Sequence, residues 1–202
     1  MKVILIGGFL GSGKTTFIRY FAKYLISKSE NKVVIIENEI GEVGIDDQFL
    51  SKEGLLVKEL FGGCICCQLT GDLTLTINKL AQEYNPDWVI IETTGVAKPV
   101  AIINTLNKYG KGIENIHTLI LADASRWVEL VEIMPELIKS QVGSGDVILV
   151  NKTDEVDKIN LNETLSSINN INSEAKVFTL SALHGIEDTL LKGLYDYASG
   201  RS

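Results

Sequence analysis

Residues 8–15 read GFLGSGKT, and the reading of this stretch decides the fold. The spacing is G-x-x-x-x-G-K-[ST], with an apolar run, VILI at residues 3–6, before it and a helix-forming segment after it. Between a strand and a helix, Gly8, Gly11 and Gly13 allow successive backbone N–H groups to wrap phosphate oxygens at a helix N-terminus. Ser12 and Thr16 belong to the same cradle, Lys14 reaches the β and γ phosphates, and the Thr15 hydroxyl is placed for Mg2+. The bland alternative is a glycine-rich turn with an incidental lysine, and the flanking pattern weighs against it.

Working outward, short runs rich in Val, Ile and Leu recur at residues 2–6, 32–36, 87–91, 118–122, 147–150 and 176–180. They are apolar almost continuously rather than alternately, as expected of parallel strands covered on both faces. Helical segments are expected at residues 15–28, 72–84, 100–109, 127–142, 161–168 and 186–198. The βαβα order predicts a single α/β domain over residues 1–202. Its sheet is doubly wound, mostly parallel and flanked by helices, with ligands beyond the carboxyl ends of the strands. Residues 55–60 interrupt the alternation and predict a short extra strand, part of a hairpin.

Three further motifs sit where strands end. NKTD at residues 151–154 follows the strand VILV. The Asp154 carboxylate can accept from guanine N1–H and its exocyclic amine, whereas adenine offers no such donor pair, so the motif selects GTP over ATP. Asn151 and Lys152 belong to this motif, and Ser181 and Ala182, after the strand KVFTL, stand where they would support the base. Taken alone, NKTD could be any polar loop. Glu92 opens ETTG after DWVII; its carboxylate suits Mg2+, and Gly95 lets the next peptide approach and sense the γ phosphate. A strand-end glutamate that caps the next segment is the alternative. Residues 37–46, ENEIGEVGID, bring four acidic side chains and two glycines, read as a mobile loop near Mg2+ or as a merely solvated one.

All three cysteines of the chain, Cys64, Cys66 and Cys67, fall in GGCICC at residues 62–67. Three thiolates in four residues supply most of a tetrahedral transition-metal site, with a turn after Cys66 needed to bring Cys67 round. Zn2+, Co2+ and Cu(I) all suit thiolates. The fourth ligand stays open among Glu39, Glu42, a water and a second chain. A redox role is the sharper rival, since a vicinal disulfide is strained and reducible. Packing as small buried hydrophobes suits one cysteine better than three neighbours.

The net charge is −7, apolar residues make up 45% of the 202 and charged residues 22%. Such a chain is globular, and its acidity argues against nucleic acid or an anionic membrane as partner. No signal-like cleavage site follows the N-terminus, and no stretch approaches the roughly 20 apolar residues of a membrane span. A cytoplasmic location is expected, where cysteines stay reduced. His117 and His184 read as structural.

Together GGFLGSGKTT, ENEIGEVGID, ELFGGCICC with the following GDL, IETTGVAKP, LADA and NKTD resemble, in order and over nearly the whole chain, CobW-like members of the CobW/HypB/UreG group of P-loop GTPases. The resemblance implies a GTP-hydrolysing metallochaperone or metal-insertion protein, with C-x-C-C as the site for Zn2+ or Co2+. It also implies a client metalloprotein and nucleotide-dependent homodimers. Many such relatives continue into a C-terminal domain and a histidine-rich stretch, which this chain is expected to lack. Lys14, Glu92 and Glu39 are the expected catalytic groups, with Glu42 as a further metal contact. None is a convincing general base, so slow hydrolysis is expected without metal or partner. Rival readings are a metal-responsive binding module without transfer activity, and an ATP-using P-loop kinase or nucleotide-dependent activator of a corrinoid or other metalloenzyme, with redox or structural cysteines.

Overall fold

The computed structural model describes residues 1–28, 32–37, 55–59 and 68–200, with backbone alone for 55–59 and 68–72. Among the described residues seven strands form one sheet: β1 (Lys2–Gly8), β2 (Val33–Glu37), β3 (Leu55–Glu59), β4 (Trp88–Glu92), β5 (Asn115–Asp123), β6 (Val147–Asn151) and β7 (Lys176–Thr179). Their order is β3-β2-β4-β1-β5-β6-β7, and every pairing is parallel. The helices are α1 (Lys14–Ser27), α2 (Gln68–Glu83), α3 (Pro99–Tyr109), α4 (Trp127–Ile133), α5 (Pro135–Val142), α6 (Lys158–Ile171) and α7 (Asp188–Ala198). Single 3-10 turns at Ala124–Arg126 and Thr153–Glu155 follow β5 and β6. No helix among the described residues is long and apolar enough to cross a membrane.

The continuous apolar runs are explained by layering. In β1 the alternate residues Ile4 and Ile6 pack with Phe17, Phe21 and Leu25 of α1, while Val3 and Leu5 pack on the other face with Ile77 and Leu80 of α2 and Leu106 of α3. All four strand residues are fully buried. A third cluster joins Ile120 and Ile148 to Trp127, Ile138, Val142 and Ile168, seating α4, α5 and α6. The sheet is thus apolar on both faces because helices cover both.

Two sequence expectations are corrected. Among the described residues, 55–59 form no hairpin: β3 lies parallel to β2, in the register Val33↔Leu55 to Glu37↔Glu59. An antiparallel pair would satisfy the same apolar residues, so composition alone does not fix the direction. The helix expected over 127–142 is broken. Met134 leaves the helical region at φ −131°, ψ 52°, because Pro135 disfavours helical geometry in its predecessor and lacks an N–H of its own; α5 then restarts with that proline in its first turn.

Helix α1 hangs on two aromatic rings, Phe17 and Phe21, stacked with centroids 5.7 Å apart and both fully buried. Replacing Phe17 by Ala is expected to cost about 3–5 kcal/mol, the usual range for a fully buried ring. Urea unfolding followed by circular dichroism checks this, and a loss under about 1 kcal/mol would show that α1 does not depend on the ring.

Candidate functional site

The carboxyl ends of β1, β4, β5 and β6 converge on one edge of the sheet, and the charged and polar residues buried there are the site. The loop of residues 8–13 leaves β1 with Gly8, Gly11 and Gly13 at φ 133°, 77° and 95°. Gly13 caps α1 in the left-handed region, and a Cβ there would collide with the Asn151 carboxamide, so conformation and space both demand glycine. Ser12 is fully buried with its hydroxyl unpartnered, and Thr16 is exposed on the first turn of α1.

Lys14, 5% exposed, donates from Nζ to the Phe9 carbonyl at 3.3 Å, so the ammonium is folded back over the loop. The Thr15 hydroxyl donates to Glu92 Oε1 at 3.0 Å and lies 3.3 Å from Oε2. Glu92 ends β4 and is 2% exposed. A buried carboxylate facing the hydroxyl of a phosphate-loop threonine is a donor set that suits a hard divalent cation. Gly95 lies against the loop itself: a Cβ on it would stand 2.5 Å from the Leu10 backbone nitrogen. The turn around it is closed by the Ala97 N–H donating to the Thr94 carbonyl at 3.0 Å.

Asn151, at the end of β6 and 3% exposed, joins two loops. Its Nδ2 donates to the Ser12 carbonyl at 2.8 Å, and its Oδ1 accepts from the Ala182 N–H at 2.9 Å. Lys152 follows in a left-handed conformation, φ 62°, with Nζ 2.7 Å from Asp123 Oδ2. Asp123 is 2% exposed, and its other oxygen accepts from the N–H and the hydroxyl of Ser125 at 3.1 and 2.7 Å. Asp154 lies in the next turn. The Ser181 hydroxyl beside it holds its carboxyl below the usual carboxylate range, helped by a backbone hydrogen bond and the His184 imidazole and opposed by desolvation.

The two histidines differ in setting. His117 is half-buried, its ring 4.9 Å from that of Tyr197, and burial pushes its pKa down. His184 lies at the surface: its side chain is 68% exposed, and Nε2 stands 3.3 Å from Asp154 Oδ2. Sequence reading missed Gln141, whose amide reaches the Gly95 loop, and the Lys152–Asp123 ion pair. LADA was visible in the sequence as part of a pattern, but nothing in it assigned a partner to Asp123. Glu39, Glu42, Cys64, Cys66 and Cys67 lie outside the described residues. The strands that lead to them end side by side, Glu37 of β2 paired with Glu59 of β3, at the same edge as Glu92.

The model of the CobW/HypB/UreG nucleotide-binding domain matches residues 2–179. The chain belongs to the CobW/HypB/UreG family. It is 37% identical over 153 residues to the zinc chaperone YeiR of Escherichia coli strain K12, covering 74% of this chain and 46% of that protein. With the zinc chaperone YjiA of the same organism it shares 35% over 196 residues, 92% of this chain and 58% of YjiA. The crystal structure of Zn(II)-bound YjiA GTPase from E. coli superposes with a TM-score of 0.68 at 29% identity, covering 94% of this chain and 60% of that one. The chain spans about half the length of the curated relatives it matches.

Within this family chain, Asn151 ties the phosphate loop to the loop that follows β7. Asn151→Ala would leave the buried Ser12 carbonyl and Ala182 N–H without partners, an expected loss of about 2–4 kcal/mol. The midpoint of urea unfolding reports it, and a midpoint equal to wild type would show that the two loops do not lean on this side chain.

Proposed function

We propose that this chain binds and hydrolyses GTP with Mg2+ and uses the nucleotide state to control a transition metal carried by Cys64, Cys66 and Cys67. The observation that carries the coupling is the parallel direction of β3. It brings the chain out of the sheet at Glu59, beside Glu37 and on the edge that holds Glu92 and the phosphate loop. Cys64 follows five residues later, a reach of at most about 18 Å. The zinc chaperones among the relatives support Zn2+ as cargo, and Co2+ suits the same thiolates.

In this reading the N–H groups of residues 11–15 and the Lys14 ammonium hold the β and γ phosphates, with Gly8, Ser12 and Thr16 shaping the cradle. Thr15 and Glu92 would hold Mg2+, which supplies charge neutralisation for the developing phosphate oxygens when bound. Their mutual contact at 3.0 Å supports the fit, since it brings the two oxygens to one place. Asp154 accepts from the guanine edge, Lys152 lies beside the base with its ammonium fixed by Asp123, and Ser181 and Ala182 close the pocket. Glu39 and Glu42 are proposed to orient water or complete the metal site, and Gly95 to sense the γ phosphate. None of these groups is a strong base, so turnover should be slow in the isolated chain. The thiolates keep the metal in one nucleotide state and yield it to a client metalloprotein in the other, a nucleotide-dependent homodimer being the assembly that fits such a switch. A cytoplasmic setting, which keeps the thiols reduced, fits this task.

Two outcomes check this. Asp154→Ala should lower the preference for GDP over ADP by about 10–100-fold, because the guanine donors lose their acceptor. Asp154 has a depressed pKa in the folded chain, so its contribution is present above the ordinary carboxylate range and disappears only as pH falls through the lower folded value. Guanine affinity should therefore persist to lower pH than an unperturbed aspartate would allow; a loss at higher pH than that would mean another group reads the base. Secondly, anaerobic titration with Zn2+ and Co2+ in the presence of GDP or a non-hydrolysable GTP analogue should give different affinities, separated by about 1–3 kcal/mol. Cys66→Ala should abolish the difference. Equal affinities in both states would overturn the metal-release reading while leaving GTP binding untouched.

A further inference from the structure

We propose that Gln141 is a positioning residue for the loop that senses the terminal phosphate, an assignment that rests on the GTP-binding reading above. Gln141 sits on α5 and is 1% exposed. Its Nε2 donates to the Gly95 carbonyl at 3.0 Å and to the Ala97 carbonyl at 3.1 Å. Carbonyl oxygens only accept, so the amide nitrogen must face them, and both of its N–H groups are engaged. One buried side chain thereby holds two carbonyls of a single turn.

That turn has no other described anchor to α5 of this kind, and the residues on either side of Gln141 do not move easily. Ile138 and Val142 are 3% and 1% exposed in the cluster under β5 and β6, and the Gln141 carbonyl accepts from the Ser144 N–H and hydroxyl at 3.1 and 2.7 Å. The contact continues inward. Gly95 leans on the Leu10 backbone nitrogen, and the Thr93 N–H donates to the Ile6 carbonyl at 2.9 Å. From α5 to the phosphate loop the order is Gln141, Gly95, Leu10.

Such a latch acts on the triphosphate selectively. The loop already stands over the phosphate loop when Gln141 holds it, so a ligand bearing a γ phosphate meets an ordered Gly95 peptide and loses less conformational freedom on binding. GDP has no group that reaches Gly95; its affinity comes from the cradle and the base pocket. Removing the amide should therefore weaken the triphosphate more than the diphosphate.

The test measures binding of fluorescent GDP and of a non-hydrolysable GTP analogue, with Mg2+, to the wild-type chain and Gln141→Leu. The expected result is analogue affinity lowered at least about fivefold with GDP affinity held within about twofold, the range of an ordinary coupling between sites. Gln141→Ala carries the same measurement should the leucine variant not fold, its vacated space admitting a water to the two carbonyls. Thermal melting identifies the folded variant. Affinities that move together, an unchanged ratio, or a loss confined to GDP would overturn the assignment. A wild-type chain that binds neither nucleotide would overturn the GTP-binding reading and this assignment with it; wild type binding both, with variants of unchanged ratio, overturns the assignment alone.

Discussion

The arrangement of the site depends on one buried carboxamide. Asn151 stands at the end of β6, yet its two polar atoms are both committed to neighbouring loops, Ser12 on one side and Ala182 on the other. An amide in this position satisfies a carbonyl and an N–H that burial would otherwise strand, each worth about 1–3 kcal/mol when left unpaired. The same side chain explains a constraint on its neighbour. Only glycine at position 13 leaves room for it, and only glycine turns into α1 through the left-handed region without strain. Phosphate loop, NKTD and the turn at Ser181 and Ala182 are far apart in sequence but are joined through this one side chain.

Around Asn151 the chain, acidic overall, buries three charged side chains among its described residues, Lys14, Glu92 and Asp123, each 5% exposed or less. Buried charge is costly unless paired and hydrogen-bonded. The compensation is local in every case: Phe9 for Lys14, Thr15 for Glu92, and Lys152 with Ser125 for Asp123. These contacts fix side-chain positions before any ligand arrives, which is what recognition of a phosphate and a base would require under the proposed function.

The strands were legible in the sequence because both faces of the sheet are covered, so each strand appears as an unbroken apolar run. NKTD stood out only by its place at the end of a later strand, whereas the phosphate-loop pattern was legible because its residue types have few other uses at that spacing. Direction and partnership were not. The apolar residues Leu55, Leu56 and Val57 suit a parallel or an antiparallel strand equally, and only the pairing with β2 decides. Helix periodicity across residues 127–142 hid the break at Pro135, since apolar positions continue in phase on both sides of it. Nor did the sequence show a neighbour for His184: the turn at Ser181, closed by the His184 N–H, brings its ring out to Asp154. Gln141 carries no motif, and its importance lies in two backbone carbonyls about 45 residues away, which no local pattern encodes.

The parallel course of β3 has the widest consequence. In an antiparallel hairpin the chain would leave the sheet at the edge opposite the phosphate loop, and the cysteines that follow would begin on the wrong side of the molecule. With β3 parallel, the acidic segment after Glu37 and the cysteine segment after Glu59 start from adjacent strands, and Ile36 is paired in turn with Ile91, next to Glu92. Strands stand about 4.8 Å apart, so two lateral steps, roughly 10 Å, separate the end of β4 from the end of β3. Under the proposed function, a change at Glu92 when the γ phosphate leaves would need no long chain of intermediates to be felt where the thiolate segment begins. The coupling is then a matter of neighbouring strand ends that share one edge, and its strength should depend on how firmly Gln141 holds the loop after β4 in place.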